Sequence, residues 1–175
     1  MRRSEIRFVP EEYEQYIGLI DDVDLAQAFQ ESLRLITAID HDRLRKLGDR
    51  TYASGKWTVK CILQHVNDIE RIHCYRTLLF ARSSGLIPQS FDSEALADHS
   101  KADVRNIEAL LGEMKAIRLA TIAMFESFDD GALTSTGINW KYEMSVLAMG
   151  FLIIGHQKHH LQIIEEKYFP LLTHP

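Results

Sequence analysis

The segment that decides the fold is residues 145–168, SVLAMGFLIIGHQKHHLQIIEEKY. If each residue turns a helix by about 100°, four of its apolar residues and two of its histidines fall on one stripe: Met149, Leu152, Ile153, His156, His160 and Ile163. No proline occurs between residue 145 and Pro170, so no proline interrupts a helix of this length. The segment predicts a long helix whose buried face carries two histidines.

Three more segments show the helical spacing of apolar residues, at 25–47, 59–82 and 102–128. All four prolines of the chain lie outside the predicted helices. Residues suited to cap a helix N-terminus precede the three segments: Asp24, Thr58 and Ser100. Four amphipathic helices with no strand pattern of note predict an all-α protein, a four-helix bundle. The connections have unequal lengths, so the order of the helices around the bundle does not follow from the sequence.

We expect one domain over residues 1–175, with residues 1–23 as an N-terminal extension. Residues 83–99 form a long loop between helices, and loops of that length are usually functional or partly ordered. Residues 131–141 are predicted to hold a short strand or an irregular turn.

Composition and charge narrow the classes of protein. The chain has 175 residues and a net charge of −5, which disfavours a nucleic-acid-binding surface. No apolar run is long enough to span a membrane, and no secretory signal follows the N-terminal Met1. Cys61 and Cys74 lie on one predicted helix about 20 Å apart, too far for a disulfide. These features favour a cytoplasmic protein.

A metal site is the first functional hypothesis. His156 and His160 are four residues apart, so their imidazoles share a helix face, and imidazole is a ligand for zinc, nickel, copper and iron. Two core histidines bonded to neighbouring helices are the alternative. His159 points about 60° away, as expected of a surface or supporting residue. A catalytic zinc typically has three protein ligands; His65 is the best third candidate and His73 the fallback.

Two further residues bear on the chemistry. Gln157 stands where the HExxH motif of zinc proteases has its glutamate, and an amide cannot accept a proton, so that class of protease is disfavoured. Glu70 lies near the centre of the apolar face of its helix. It could orient a ligand histidine or act as a base, or form a buried ion pair with Arg76 or an arginine on another helix.

Several motifs of the chain are similar to those of one family, the DinB/YfiT-like superfamily. Residues 55–65, GKWTVKCILQH, resemble its W-[ST]-x6-H signature. The following DIER, YR and FAR at 68–71, 75–76 and 80–82 resemble the continuation of that signature, and GHQKHHL at 155–161 resembles its G-H-x-x-H-H-L motif. The similarity extends from about residue 25 to 168.

The resemblance implies a four-helix bundle and a divalent metal ion, zinc or nickel, held by the histidines at matching positions: His65, His156 and His160. It also implies a homodimer and a small-molecule substrate. The activity would be that of a metal-dependent hydrolase or of a transferase that joins a low-molecular-weight thiol to electrophiles. A non-catalytic metal-binding or interaction bundle is the alternative. The loop LIPQSFD at 86–92 lacks the glycine of many relatives, so the identity of the substrate does not carry over.

Overall fold

Helices dominate the computed structural model, which describes residues 1–173. In chain order the elements are α1 (Glu11–Ile17), α2 (Leu25–Thr37), α3 (His41–Leu47), α4 (Val59–Ala81), α5 (Ser93–His99), α6 (Ile107–Glu126), α7 (Asp130–Thr134), β1 (Thr136–Asn139), β2 (Tyr142–Ser145) and α8 (Val146–Ile163). After α8 the chain continues through a π-helical turn, Ile164–Tyr168, and a 3₁₀ turn, Phe169–Leu172. His174, which the sequence suggests is a solvated histidine, lies outside the described residues.

The four long helices α2, α4, α6 and α8 form the bundle, so the predicted all-α four-helix bundle is confirmed. Helix α2 packs mainly against α6 and α8, and α4 packs mainly against the same two helices. The successive long helices α2 and α4 therefore lie diagonally across the bundle, as do α6 and α8. This order differs from an up-down bundle, in which each helix packs beside the next one in the chain.

The predicted helix boundaries hold for α4 but not for its neighbours. The Thr58 hydroxyl accepts a hydrogen bond from the amide of Cys61 and caps α4 as expected. The predicted helix 25–47 is wrong in its length: it ends at Thr37, and a new helix starts because the Asp40 carboxylate caps it through the amide of Arg43.

The predicted helix 102–128 starts later than expected, because the cap is Asn106, whose side chain accepts from the amide of Ala109, rather than Ser100.

The connections contain ordered elements. Residues 83–99 include α5, which is capped by the Asp92 carboxylate through the amides of Glu94 and Ala95. Residues 131–141 include most of α7 and the strand β1, which pairs in antiparallel fashion with β2 across a two-residue turn at Trp140 and Lys141. Residues 1–23 include α1, which packs on α8.

Two glycines allow close contacts that position these added elements. A Cβ on Gly155 would lie 2.2 Å from the carbonyl oxygen of Tyr16, so its absence lets α1 pack directly on α8. A Cβ on Gly137 would lie 2.0 Å from the ring of Phe80, so its absence lets the β1–β2 hairpin pack on α4. Both contacts lie next to polar groups of the site described below.

The interior has a polar layer between two apolar clusters. One cluster contains the first half of α8 with Phe29, Phe80 and Phe125, and the other contains the first halves of α4 and α6. On all four long helices, buried polar side chains fall between the residues of the two clusters: Ser32, Glu70, His73, Arg118, Thr121, His156 and Gln157. Within residues 1–173, no helix has the length and apolar character that crossing a membrane would require.

Candidate metal centre

Three histidines from two helices converge inside the bundle. His65 comes from α4, and His156 and His160 come from successive turns of α8. The Nε2 atom of His156 lies 3.2 Å from Nε2 of His65 and 3.1 Å from Nε2 of His160. One nitrogen from each of the three rings lies within 4.8 Å of the other two. The three residues that helical phase and the family resemblance single out therefore lie together.

The surrounding helices hold the three rings in place. Helices α4 and α8 pack against each other, which brings His65 to the face of α8 that carries the other two histidines. The indole of Trp57, just before α4, packs on His65 with ring centres 4.9 Å apart. Tyr16 of α1 contacts His156 edge-on with ring centres 5.5 Å apart. Both flanking aromatics limit the rotation of the rings they touch.

Burial keeps these imidazoles neutral. It lowers the pKa of His65 to about 4 and, together with the nearby His65 and His159, the pKa of His160 to about 3. The pKa of His156 is well below its usual value, mainly because the ring is buried and also because other histidines surround it. Neutral imidazole is the form that binds a metal ion, so the cluster is in its ligand form at neutral pH.

The spacing of the nitrogens fits a shared ion. Around an ion with metal–nitrogen bonds of about 2.0 to 2.1 Å, tetrahedral ligands are about 3.3 to 3.4 Å apart and ligands at right angles about 3 Å apart. The measured separations of 3.2 and 3.1 Å from His156 match this range. A neutral imidazole nitrogen has either one proton or one lone pair. The Nε2 atom of His156 can therefore form one ordinary hydrogen bond, which does not account for both of its contacts. The donor set suits a divalent transition-metal ion.

Two further histidines lie close to this cluster without joining it. The ring of His73, the fallback ligand, is 6.4 Å from the ring of His156, and its Nδ1 is buried without a hydrogen-bond partner. His159 is partly buried and packs edge-on against Tyr16, with ring centres 5.1 Å apart. His73 therefore lines the surroundings of the cluster, and His159 faces α1.

Comparison with known protein families matches residues 11–164 to the model of the DinB superfamily. The chain belongs to the DinB superfamily. The match covers the helical bundle and all three clustered histidines, as expected from the two sequence motifs.

One solved structure is similar to this DinB-superfamily chain over most of its length. It is YfiT from Bacillus subtilis, described as a probable metal-dependent hydrolase with an unusual four-helix bundle topology. The match has a TM-score of 0.68 and 15% sequence identity, and it covers 94% of this chain and 91% of YfiT. At this identity the similarity bears on the fold. No curated protein matches the sequence.

Glu70 forms the buried ion pair that the sequence left as one of its alternatives. Its two carboxylate oxygens accept hydrogen bonds of 2.8 Å from Nε and Nη2 of Arg118 on α6, and one of them also accepts from Thr121. Arg118 also donates to the hydroxyl of Ser32 on α2. Arg76, the other partner considered, donates instead to Asn139. The contacts of Glu70 thus link α2, α4 and α6, and none of them is to a histidine.

Two cavities open beside the histidine cluster. The first, of about 370 Å³, is lined by residues that include His160, the aromatic Trp57 and Tyr168, and Glu94 and Asp98 of α5. The second, of about 710 Å³, is lined by residues that include His73, Arg76 and Trp140.

Glu94 lines both cavities, and no motif or spacing in the sequence pointed to it. The Asp92 cap signal could have revealed α5, because an aspartate directly before a segment with helix-forming residues is typical of a helix start.

Proposed function

We propose that the protein is a metal-dependent hydrolase that acts on a small molecule. The observation that carries the proposal is the buried cluster of His65, His156 and His160, with nitrogens spaced for one ion. When bound, such an ion supplies Lewis-acid polarisation of the bond to be cleaved and lowers the pKa of a coordinated water. Three protein ligands are typical of catalytic rather than structural zinc sites, which usually have four.

The side chains around the cluster divide the remaining tasks. Trp57 and Tyr168 give the cavity at His160 two aromatic side chains against which a small substrate can pack. Glu94 is exposed and lines the same cavity, so its carboxylate is the proton acceptor that we assign. Glu70 is unsuited to this task because Arg118 and Thr121 occupy its oxygens. Gln157 is an amide and cannot accept a proton.

Two comparisons support the hydrolase. The chain belongs to the DinB superfamily, and YfiT, which shares its fold, is described as a probable metal-dependent hydrolase. Transfer of a low-molecular-weight thiol to an electrophile is the alternative activity implied by the family resemblance. A transition-metal ion on imidazoles would suit both activities, since it can also bind a thiolate. Zinc or nickel is the expected ion, and the homodimer and the cytoplasmic location remain predictions.

A screen with metal-loaded protein tests the proposed activity. The substrates are model esters, amides and phosphate esters, with a second set that pairs small thiols with model electrophiles. The metal-free protein lacks the ion, and His160→Ala lacks one of its ligands. Both should therefore lose the activity found for the metal-loaded wild type. His159→Ala is the matched control, as it removes a neighbouring imidazole outside the cluster and should keep the activity.

Each outcome of the screen has a clear meaning. Hydrolysis that depends on the metal and on His160 supports the hydrolase, and product formation only in the thiol set favours the transferase. Hydrolysis at equal rates in wild type and His160→Ala contradicts a role for the histidine cluster. Metal binding without conversion of any substrate in either set favours the alternative, a non-catalytic metal-binding bundle.

A further inference from the structure

A second charged group lies buried beside the histidine cluster without a counter-charge. Arg76 is only 3% exposed, and its guanidinium donates to Oδ1 of Asn139 at 2.6 Å and to the carbonyl of Gln89 at 2.9 Å. Its guanidinium carbon lies 5.1 Å from the ring centre of Phe91. Among the described residues, no carboxylate lies within ion-pair distance of Arg76. Its partners are an amide, a carbonyl and an aromatic ring, all without formal charge.

The other buried arginine of the bundle is paired with a carboxylate, as buried arginines usually are. Arg118 is fully buried and is neutralised by two hydrogen bonds from its guanidinium to the Glu70 carboxylate. A buried charge without a partner costs several kcal/mol, so buried arginines are generally paired. Arg76 has no such partner, although the same helix, α4, supplies Glu70 to Arg118. An anion that comes from outside the chain would complete the pairing.

Two neighbouring side chains present further polar groups to the same cavity as Arg76. His73 lies one helical turn before Arg76, so both side chains share a face of α4, and both line the cavity of about 710 Å³. The Nδ1 atom of His73 is buried and has no partner in the protein. Tyr13 of α1 lines this cavity as well, and burial raises the pKa of its hydroxyl, which therefore stays protonated as a donor.

We propose that Arg76 and His73 form a subsite that binds a carboxylate of the substrate. The inference rests on the proposed function, and it gives the substrate class as a small carboxylic acid anion. One guanidinium matches one negative charge, and a guanidinium fork is suited to a planar carboxylate. Asp92 and Glu94 line the same cavity and would disfavour a phosphate dianion more strongly than a carboxylate with a single charge. Because the His73 and His156 rings are 6.4 Å apart, the subsite would direct the rest of the substrate toward the cluster.

The two tryptophans of the chain allow a direct test by NMR, since each reports on one site. Trp140 lines the cavity of Arg76 and His73, whereas Trp57 packs on His65 of the metal cluster. The probes are benzoate, the uncharged benzamide and inorganic phosphate, titrated while the indole N–H resonances are followed. We expect benzoate to shift the Trp140 resonance saturably and to bind at least about tenfold more tightly than either other probe, as a charge-assisted hydrogen bond requires.

Variants separate this subsite from the metal. Arg76→Gln should weaken benzoate binding by at least about tenfold. His73→Gln leaves the Arg76 guanidinium in place and should also weaken benzoate binding. Arg71→Gln, which removes an exposed arginine of the same helix, is the matched control and should bind as the wild type does. Metal-free wild type and His160→Ala should still bind benzoate, so a failure of the metal site would leave this test intact.

Several results would overturn the subsite. Equal binding of benzoate and benzamide, or no shift of Trp140, would remove the carboxylate from this cavity. Phosphate binding as tight as benzoate binding would contradict the assignment to a carboxylate. Benzoate binding that shifts Trp57, requires the metal and survives Arg76→Gln would show coordination at the cluster, which keeps the proposed function and rejects the subsite.

Discussion

At the scale of single residues, His156 is the centre of the site. Its Nε2 contacts the Nε2 atoms of both other histidines, and its ring is flanked by Tyr16 and His73. Every partner around it is an aromatic ring or a neutral imidazole. Protonation of any ring in the cluster would put a positive charge in a buried site beside imidazoles that carry no negative charge. Burial therefore favours the neutral form of the cluster.

The free energy of unfolding of the metal-free protein should fall as the pH falls. In the unfolded chain a histidine titrates near 6.5, whereas burial lowers the pKa of His65 to about 4 and of His160 to about 3 in the folded protein. Below pH 6.5 the unfolded state thus binds protons that the folded state does not. Proton binding by each of these histidines in the unfolded state should lower the free energy of unfolding by up to about 1.4 kcal/mol per pH unit between pH 6.5 and about 4.

Urea unfolding from pH 7.5 to 4.5 measures this effect, with His160→Leu as the comparison. The variant has one fewer buried imidazole, so its stability should depend less steeply on pH than that of the wild type. A free energy of unfolding that is level over this range would contradict the burial of neutral histidines.

Sequence patterns could predict the clustered histidines but not their surroundings. Helical phase selected His156 and His160 over His159 and made His65 the best third candidate, and the family resemblance implied the same three residues. The pairing of Glu70 with Arg118 stayed open, because a pattern shows that a charge is buried but not which helix faces it. The lack of a counter-charge at Arg76 is likewise a property of the packed structure. Such contacts join residues that are far apart in the chain.

At the scale of elements, the packing of α1 on α8 includes a close approach of the two backbones at Gly155. The carbonyl of Tyr16 lies where a side chain on residue 155 would be, and Tyr16 itself contacts His156 and His159. Gly155 thus links the added N-terminal helix to the histidine helix. This contact explains why a glycine directly precedes His156 on a helix, where glycine is otherwise unfavourable.

Gly155→Ala should lower the free energy of unfolding by about 1 to 3 kcal/mol, because the new methyl group would displace backbone atoms of α1. Gly112→Ala is the matched control: Gly112 is on α6, with nothing within 4 Å of the added methyl group, and alanine should stabilise that helix by up to about 1 kcal/mol. Urea unfolding of both variants measures the difference. Equal effects of the two substitutions would contradict the close packing of α1 on α8.

Helix boundaries were predictable where the cap was read correctly. Thr58 caps α4 as its sequence suggests, and that helix spans almost the predicted residues. Apolar spacing continues through residues 38–40, so the break between α2 and α3 depends on the Asp40 side chain competing for a backbone amide. Asn106 and Asp92 act in the same way at α6 and α5. Periodicity locates helices, and polar caps decide where they start.

At the scale of the whole molecule, a polar layer divides the core. Glu70 and Arg118 bridge α4 and α6, and Arg118 also reaches Ser32 on α2. Because α2 and α4 are diagonal, this arginine spans helices that make few direct contacts with each other. The layer fixes their relative position beside the histidine cluster. The diagonal order itself could not be predicted, since α3, α5, α7 and the hairpin make every connection long enough for several orders.

Glu70→Ala should lower the free energy of unfolding by about 3 to 5 kcal/mol, because it leaves the Arg118 guanidinium buried without its partner. The double variant Glu70→Leu with Arg118→Met removes both charges and should recover most of that loss. Chemical unfolding of the single and double variants gives the comparison. A loss below about 1 kcal/mol in the single variant would contradict a buried ion pair that depends on both partners.

The central claim is that His65, His156 and His160 together hold one metal ion, and metal content measures this most directly. Elemental analysis of protein purified without chelators, after loading and removal of free metal, compares wild type with His160→Ala and His159→Ala. We expect about one zinc or nickel ion per chain in the wild type and in His159→Ala, and close to none in His160→Ala. No bound metal in the wild type, or equal metal in all three proteins, would contradict the account.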